Sequence, residues 1–182
     1  MPKKIGVIVG SLRKGSFTKS VAEAVSRLFP AGYDALFIEY HHLPLFDQDY
    51  ELEGTTPESY DDFRRLIGSM DAFVFLTPEY NRSYPGALKN AIDIASRPWG
   101  ESKWAGKPAA VISVSPGMIG GFGANQHLRQ VLAFLNMPLV QQPEAYIGNV
   151  EKLLDANGYL TNKETLAYLQ TIADALVKLI KP

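Results

Sequence analysis

Apolar residues run along this chain in two alternating rhythms. In Ile5–Val9, Ala35–Tyr40, Asp71–Thr77 and Ala109–Ser115 they fall at nearly successive positions. That is the habit of strands buried on both faces of a parallel sheet. Between these runs the apolar positions recur every three or four residues, the helical spacing. Such segments are Ser16–Phe29 (Val21, Ala24, Val25, Leu28), Pro57–Ser69 (Tyr60, Phe63, Ile67) and Pro85–Ser96 (Leu88, Ala91, Ile92, Ala95). Gln126–Leu135 (Leu128, Val131, Leu132, Leu135) and Lys163–Ile180 (Leu166, Leu169, Ile172, Leu176, Ile180) follow the same rule. Ser16 suits an N-cap, Pro30 stops the first helix, and Pro57 suits a first helical turn. Pro138–Gln141 opens a short fifth strand.

Strands alternating with helices predict an α/β chain, a three-layer, doubly wound, five-stranded parallel sheet with right-handed crossovers. Its length, 182 residues, predicts one domain over residues 1–182. Sheets of this kind bind ligands outside the carboxyl ends of their strands, where the strand order reverses. The loops after the first, third and fourth strands are therefore the place to look for chemistry.

Composition narrows the choices. With 18 Lys+Arg against 19 Asp+Glu the formal charge is −1, which gives no electrostatic case for nucleic acid or an anionic membrane. Cysteine is absent, so disulfides, Cys-ligated metals, iron–sulfur clusters and thiol nucleophiles are excluded. The start of the chain is too short in apolar residues for a signal peptide, and no run approaches the ~18 needed to span a bilayer. A cytoplasmic protein is expected.

The first strand-end loop is Gly10-Ser-Leu-Arg-Lys-Gly-Ser-Phe-Thr18. It joins a buried strand to a helix start, where free N–H groups and the helix dipole attract anions. Ser11, Ser16 and Thr18 add hydroxyl donors, and Arg13 or Lys14 adds charge. A phosphate monoester is the expected guest. Gly15 is followed by Ser16 and Phe17, so this is neither a Walker A loop nor the dinucleotide fingerprint. The second loop, Thr77-Pro-Glu-Tyr-Asn-Arg-Ser-Tyr-Pro-Gly86, is stiffened by Pro78 and Pro85, and Asn81 tolerates a left-handed backbone. It suits a flat heteroaromatic ring. The third loop, Ser115-Pro-Gly-Met-Ile-Gly-Gly-Phe-Gly123, has the glycines that let a backbone approach a ligand closely. Each loop alone also fits a turn that binds nothing. Together they suit a mononucleotide with a large planar ring, a flavin.

Three stretches carry a resemblance to a known family: Gly10–Ser16, Thr77–Asn81 followed by Pro85-Gly-x-Leu-Lys-Asn-Ala-Ile-Asp93, and Ser115-x-Gly-x-x-Gly-Gly121. From about Lys4 to Leu135 the chain resembles the NADPH-dependent FMN reductase family, nearest its quinone/chromate-reductase and azoreductase-like members. The resemblance implies a flavodoxin-like sheet of order 2-1-3-4-5 with FMN bound non-covalently. It implies that Ser11, Arg13, Ser16 and Thr18, with Phe17 beside them, hold the phosphate. Pro78, Glu79, Tyr80 and Asn81 would meet the isoalloxazine and ribityl chain. Ser115, Gly117, Gly120 and Gly121 would flank the ring, while Arg82 and Tyr84 would meet the substrate. Arg82 stands where near members often have an aromatic, and would take the NADPH phosphate or an anionic acceptor. The implied activity is ping-pong: hydride from NAD(P)H, NADPH favoured, to the flavin, then two electrons to a quinone or to a chromate, azo, nitro or free-flavin acceptor. Dimers or tetramers are usual in the family.

No protein side chain is nominated as catalytic, because the flavin carries the chemistry. The histidines are His41, His42 and His127; adjacent His41 and His42 face opposite ways in a strand-like segment and make a poor metal pair. Trp99 and Trp104 would cap the site, form an interface or pack under a crossover. The acidic-aromatic loop Phe46–Tyr50 would reach a neighbouring subunit. The alternative from another class is a flavodoxin-type electron carrier that binds FMN without NAD(P)H reductase activity. A response-regulator receiver lacks its carboxylates here, and Gly-x-Ser-x-Gly of a serine hydrolase does not occur.

Overall fold

A computed structural model describes residues 1–180; the last two residues of the expected 1–182 domain lie outside it. Five strands, β1 (Lys3–Val9), β2 (Tyr33–Phe37), β3 (Ala72–Thr77), β4 (Ala109–Val114) and β5 (Ala145–Ile147), form one parallel sheet of order β2-β1-β3-β4-β5. The helices are α1 (Phe17–Ser26), the short α2 (Asp49–Leu52), α3 (Glu58–Gly68), α4 (Gly86–Ala95), α5 (Phe122–Phe134) and α6 (Lys163–Leu179). This is the doubly wound, flavodoxin-like topology expected from the sequence.

The central strands β3 and β4 are buried throughout, which is why their sequences alternate so little. Successive side chains still part to opposite faces. Phe73, Phe75 and Val111 meet α3, α4 and α5 on one face. Ala72, Val74, Leu76 and Ile112 meet α1 and α6 on the other. Each buried Leu, Ile, Val or Phe contributes about 1.5–3 kcal/mol. Trp104 lies at the centre of the first face, fully buried between Phe73 and Phe75, and its indole N–H donates to the Ile92 carbonyl at 2.9 Å. Trp99 is exposed, so the two tryptophans do not act as a pair.

The bounds of the second strand, the fifth strand and α5 differ from the sequence expectation: β2 spans Tyr33–Phe37 in place of Ala35–Tyr40. At Pro138–Gln141 there is only an isolated parallel bridge, Leu139 to Ala109, and the fifth strand is Ala145–Ile147. Leu139 faces Ala109 and Ala145 faces Ile112, so six residues on one side span three on the other and the surplus loops out. Pro143, which has no N–H for the ladder, lies in that surplus. α5 starts at Phe122 instead of Gln126. The strap Phe46–Tyr50 folds onto its own chain: Phe46 stacks on Tyr60 with centroids 6.5 Å apart, and Asn90 brackets it by accepting from Phe46 N–H at 2.7 Å and donating to the Pro44 carbonyl at 2.8 Å. No described helix is long and apolar enough to cross a membrane.

Candidate functional site

The order β2-β1-β3-β4-β5 puts β1, β3 and β4 side by side. Their carboxyl-end loops therefore share one edge, and the chain turns opposite ways after β1 and β3. A cavity of about 220 Å³ opens there, lined by Ser11, Arg13, Ser16, Phe17, Thr18, Pro78, Glu79, Tyr80, Val114, Ser115 and Pro116. Nine of these eleven were singled out by sequence; Val114 and Pro116 were not.

The first wall is the start of α1. Ser16 has the extended backbone of an N-cap, and its hydroxyl oxygen accepts from the Lys19 N–H at 3.3 Å. Its hydroxyl proton is left for a ligand. No acidic residue occupies the first turn, so no side chain of that turn competes for the positive end of the helix. Arg13 lies over the Phe17 ring with its guanidinium carbon 5.4 Å from the centroid. Serine and threonine hydroxyls, a guanidinium and free amide N–H groups make a set in which every member can donate. That chemistry fits a phosphate. Tyr40, which sequence reasoning passed over, holds this wall: its hydroxyl donates to the Val9 carbonyl at 2.7 Å. Burial, with Glu39 nearby, pushes its pKa up, so it remains a donor across the physiological range. Nothing in the segment Glu39-Tyr40 marks that role.

The second wall is a hairpin. Tyr80 and Ser83 exchange backbone hydrogen bonds of 2.8 and 3.0 Å around a two-residue turn. Asn81 (φ +49°) and Arg82 (φ +68°) are both left-handed, the geometry of the tight turns that match strand twist. Neither lines the cavity; they form the hairpin tip. Glu79 sends its carboxylate sideways, accepting from Ala124 N–H of α5 at 3.1 Å and from the Arg82 guanidinium at 3.3 Å. It thereby caps α5 from another loop, which accounts for the helix starting at Phe122. Tyr84 is half buried against the α4 face, and burial and then Asp93 raise its hydroxyl pKa to about 12. His127 reaches Ser83 Oγ at 3.2 Å from α5.

The third wall is the glycine turn. Ser115 lines the cavity and its hydroxyl oxygen accepts from the Gly117 N–H at 3.0 Å, while Gly120 and Gly121 are buried in the turn that follows. A Cβ on Gly120 would stand 2.7 Å from the Tyr146 carbonyl carbon, and one on Gly148 would stand 2.4 Å from the Met118 carbonyl oxygen. The Gly117 carbonyl accepts from both Gly120 and Asn149 N–H groups, at 3.2 and 3.3 Å. This turn is riveted to the exit of β5. Gly148 and Asn149 are site supports that the sequence reading missed, because that region carries no motif.

A second cleft of about 530 Å³ lies outside the first wall, between Ser11–Gly15 with Lys19 and Phe37–His41. His41 and His42 meet edge to face with centroids 5.6 Å apart, and no cluster of three metal-ligating side chains occurs among the described residues.

The model of the NADPH-dependent FMN reductases matches residues 3–152. The chain belongs to this family. It is similar to a quinone reductase of Pseudomonas putida, 51% identical over 177 residues that cover 97% of this chain and 94% of that one. A 2-hydroxy-1,4-benzoquinone reductase of a Burkholderia species is 48% identical over 174 residues, covering 96% and 94%. Among solved structures, the flavoenzyme FerB of Paracoccus denitrificans, an NAD(P)H:(acceptor) oxidoreductase, superposes with a TM-score of 0.89 at 39% identity over 98% and 97% of the two chains. The likeness to these reductases thus runs past Leu135 through the final helix, where sequence motifs had ended.

Proposed function

We propose that this chain is an FMN-dependent NAD(P)H:quinone oxidoreductase, on the strength of one observation above the others. A cradle made only of donors, at the α1 N-terminus, opens onto the same cavity as a stiff Pro78-Glu79-Tyr80 wall. Family membership supports FMN and NAD(P)H, and relatives named for quinones support the acceptor.

In this reading Ser11, Ser16, Thr18 and Arg13, with the free N–H groups of Phe17 and Thr18, bind the FMN phosphate. Pro78, Glu79 and Tyr80, which line the cavity, border the isoalloxazine and ribityl chain, and Asn81, at the hairpin tip outside the cavity, shapes the turn that carries them. Ser115, backed by Gly117, Gly120 and Gly121, borders the opposite edge. FMN when bound supplies the two-electron chemistry. The chain's own work is to hold the partners in register and to keep the walls fixed. The Tyr40–Val9 hydrogen bond, Glu79 on α5 and the Gly117 carbonyl do the fixing. Arg82, exposed at the hairpin tip, and Tyr84, half buried beside α4, serve the substrate. The net reaction balances as NAD(P)H, a quinone and one proton giving NAD(P)⁺ and a hydroquinone. NADPH is the favoured reductant, the protein acts in the cytoplasm, and it works as a dimer or tetramer of single flavodoxin-like FMN-binding domains.

The test is the absorbance spectrum of the purified protein, alone and after NADPH without oxygen, followed by a quinone. Flavin bands that bleach with NADPH and return with quinone are expected. Bound flavin that NADPH and NADH both leave oxidised would make the chain an electron carrier, and failure to take up added FMN would overturn the reading altogether.

A further inference from the structure

Apart from Ser11 and Arg13, the residues of the cleft outside the first wall have no part in the reading above. That cleft is the larger of the two openings, about 530 Å³ against about 220 Å³ for the cavity at the phosphate cradle. Sites for small organic ligands run from about 300 to 1,000 Å³. Ser11 and Arg13 line both, so the cleft begins where the cradle ends. Its far side is the chain at and just past the end of β2, Phe37–His41. Two hydrogen bonds to β1 hold that side in place. The Ile38 N–H donates to the Val7 carbonyl at 3.0 Å, and the Tyr40 hydroxyl donates to the Val9 carbonyl at 2.7 Å.

The lining is divided by chemistry. Arg13, Lys14 and Lys19 stand on the α1 side, and none of them is in an ion pair among the described residues. One phosphate engages Arg13 and the α1 N-terminus, which leaves Lys14 and Lys19 for a second. Leu12 and Phe37, 50% and 40% exposed, give the two sides apolar surface. Glu39 follows β2, and His41 meets one of its carboxylate oxygens at 3.3 Å. A carboxylate past the second strand is the group that holds the adenosine ribose in dinucleotide-binding sheets, by accepting from its 2′-hydroxyl. It repels a phosphate at that place. Cations, a carboxylate and apolar sides in one cleft match a phosphate, a ribose and a flat base.

We infer that this cleft is an adenylate subsite and that the chain takes FAD as well as FMN. This rests on the FMN reading above. FAD is FMN joined through a second phosphate to adenosine, so its chain continues from the phosphate that the α1 N-terminus binds. Past Ser11 and Arg13 that continuation enters the cleft. There Lys14 and Lys19 meet the second phosphate, Glu39 accepts from the ribose, and adenine lies between Leu12 and Phe37. The free 2′-hydroxyl decides which nucleotide enters. Glu39 admits the adenosine of FAD and rejects that of NADPH, whose 2′ position carries a phosphate. The reductant is thereby kept out of the cofactor's place.

The experiment titrates the full chain, stripped of flavin, with FAD and with FMN by calorimetry. Wild type is expected to bind FAD at least as tightly as FMN. Glu39→Gln and Lys19→Gln, both at exposed positions, are each expected to weaken FAD relative to FMN about threefold, and together about tenfold. AMP is expected to raise the apparent Kd of FAD and to leave that of FMN unchanged, and adenosine 2′,5′-bisphosphate to compete less well than AMP. FAD that binds more weakly than FMN, a ratio that the double variant leaves unchanged, or AMP without effect on FAD overturns the inference and leaves the FMN reading standing. Adenosine 2′,5′-bisphosphate as the better competitor would assign the cleft to NADPH and overturn it too. If neither flavin binds, the FMN reading fails and carries this one with it.

Discussion

Arg82 holds a left-handed backbone that asparagine or glycine adopts with less strain. Arg82→Asn and Arg82→Gly are therefore expected to stabilise the protein by about 1 kcal/mol, read as a higher urea midpoint at unchanged slope. Ser16 serves two masters: it caps α1 and, in the proposed reading, donates to phosphate. Ser16→Ala is expected to cost the apo protein about 1 kcal/mol and to weaken FMN binding about tenfold, by denaturation and by fluorescence titration. Much at this scale was legible. Ser16 and Asn81 are residue types suited to a cap and a left-handed turn, and the structure uses them so. Arg82 was legible as a cation near the site but not as a strained one, because no local rule places arginine at positive φ. The roles of Tyr40 and Gly148 depend on atoms 31 and 30 positions away, Val9 and Met118, and local pattern is blind to both.

At the scale of elements, the strap before α3 is held by charge as well as by aromatic stacking. Arg64 is buried on α3, where it donates to the Ile94 carbonyl at 3.0 Å and meets Glu51 of α2 at 3.0 Å. Arg97, just past α4, donates twice to the other Glu51 oxygen at 3.0 and 2.7 Å. Removing Glu51 leaves two guanidinium groups without that partner, one of them buried. Glu51→Ala is expected to lose about 2–3 kcal/mol and to expose the strap to proteolytic nicking, since Arg64 keeps Asp61 and the Ile94 carbonyl. An aromatic-acidic loop without periodicity gave no hint of this arrangement. The early start of α5 was hidden for the same reason: its first turn lacks an apolar repeat, and its cap comes from Glu79 on a distant loop. The displaced β5 reflects a bulge around Gln141–Pro143 that depends on pairing with β4.

Across the molecule, burial raises the hydroxyl pKa of Tyr40, Tyr60, Tyr84, Tyr146 and Tyr168 above the usual 10.0. For Tyr84 and Tyr146 the folded value is about 12. The unfolded chain gives up these protons first, so between those two pH values the folded state binds more protons. Stability is then expected to fall as pH rises from 10 to 12, and not to depend on these groups near neutrality. Denaturation midpoints across that range would show it, and Tyr84→Phe should make the fall shallower.

The order of strands and helices, the buried character of the sheet and the loops that gather at its carboxyl edge were determined by the sequence alone. Unbroken apolar runs and helical spacing are local properties, and a doubly wound sheet follows from their alternation. The donors at the α1 N-terminus and the stiffening prolines are likewise written in single segments. Tertiary structure alone decided that Trp104 is core and Trp99 surface, that Glu79 caps a helix, and that Gly148 closes against Met118. Each of these depends on which distant atoms come within contact distance, and that distance is fixed only when the sheet has closed its register.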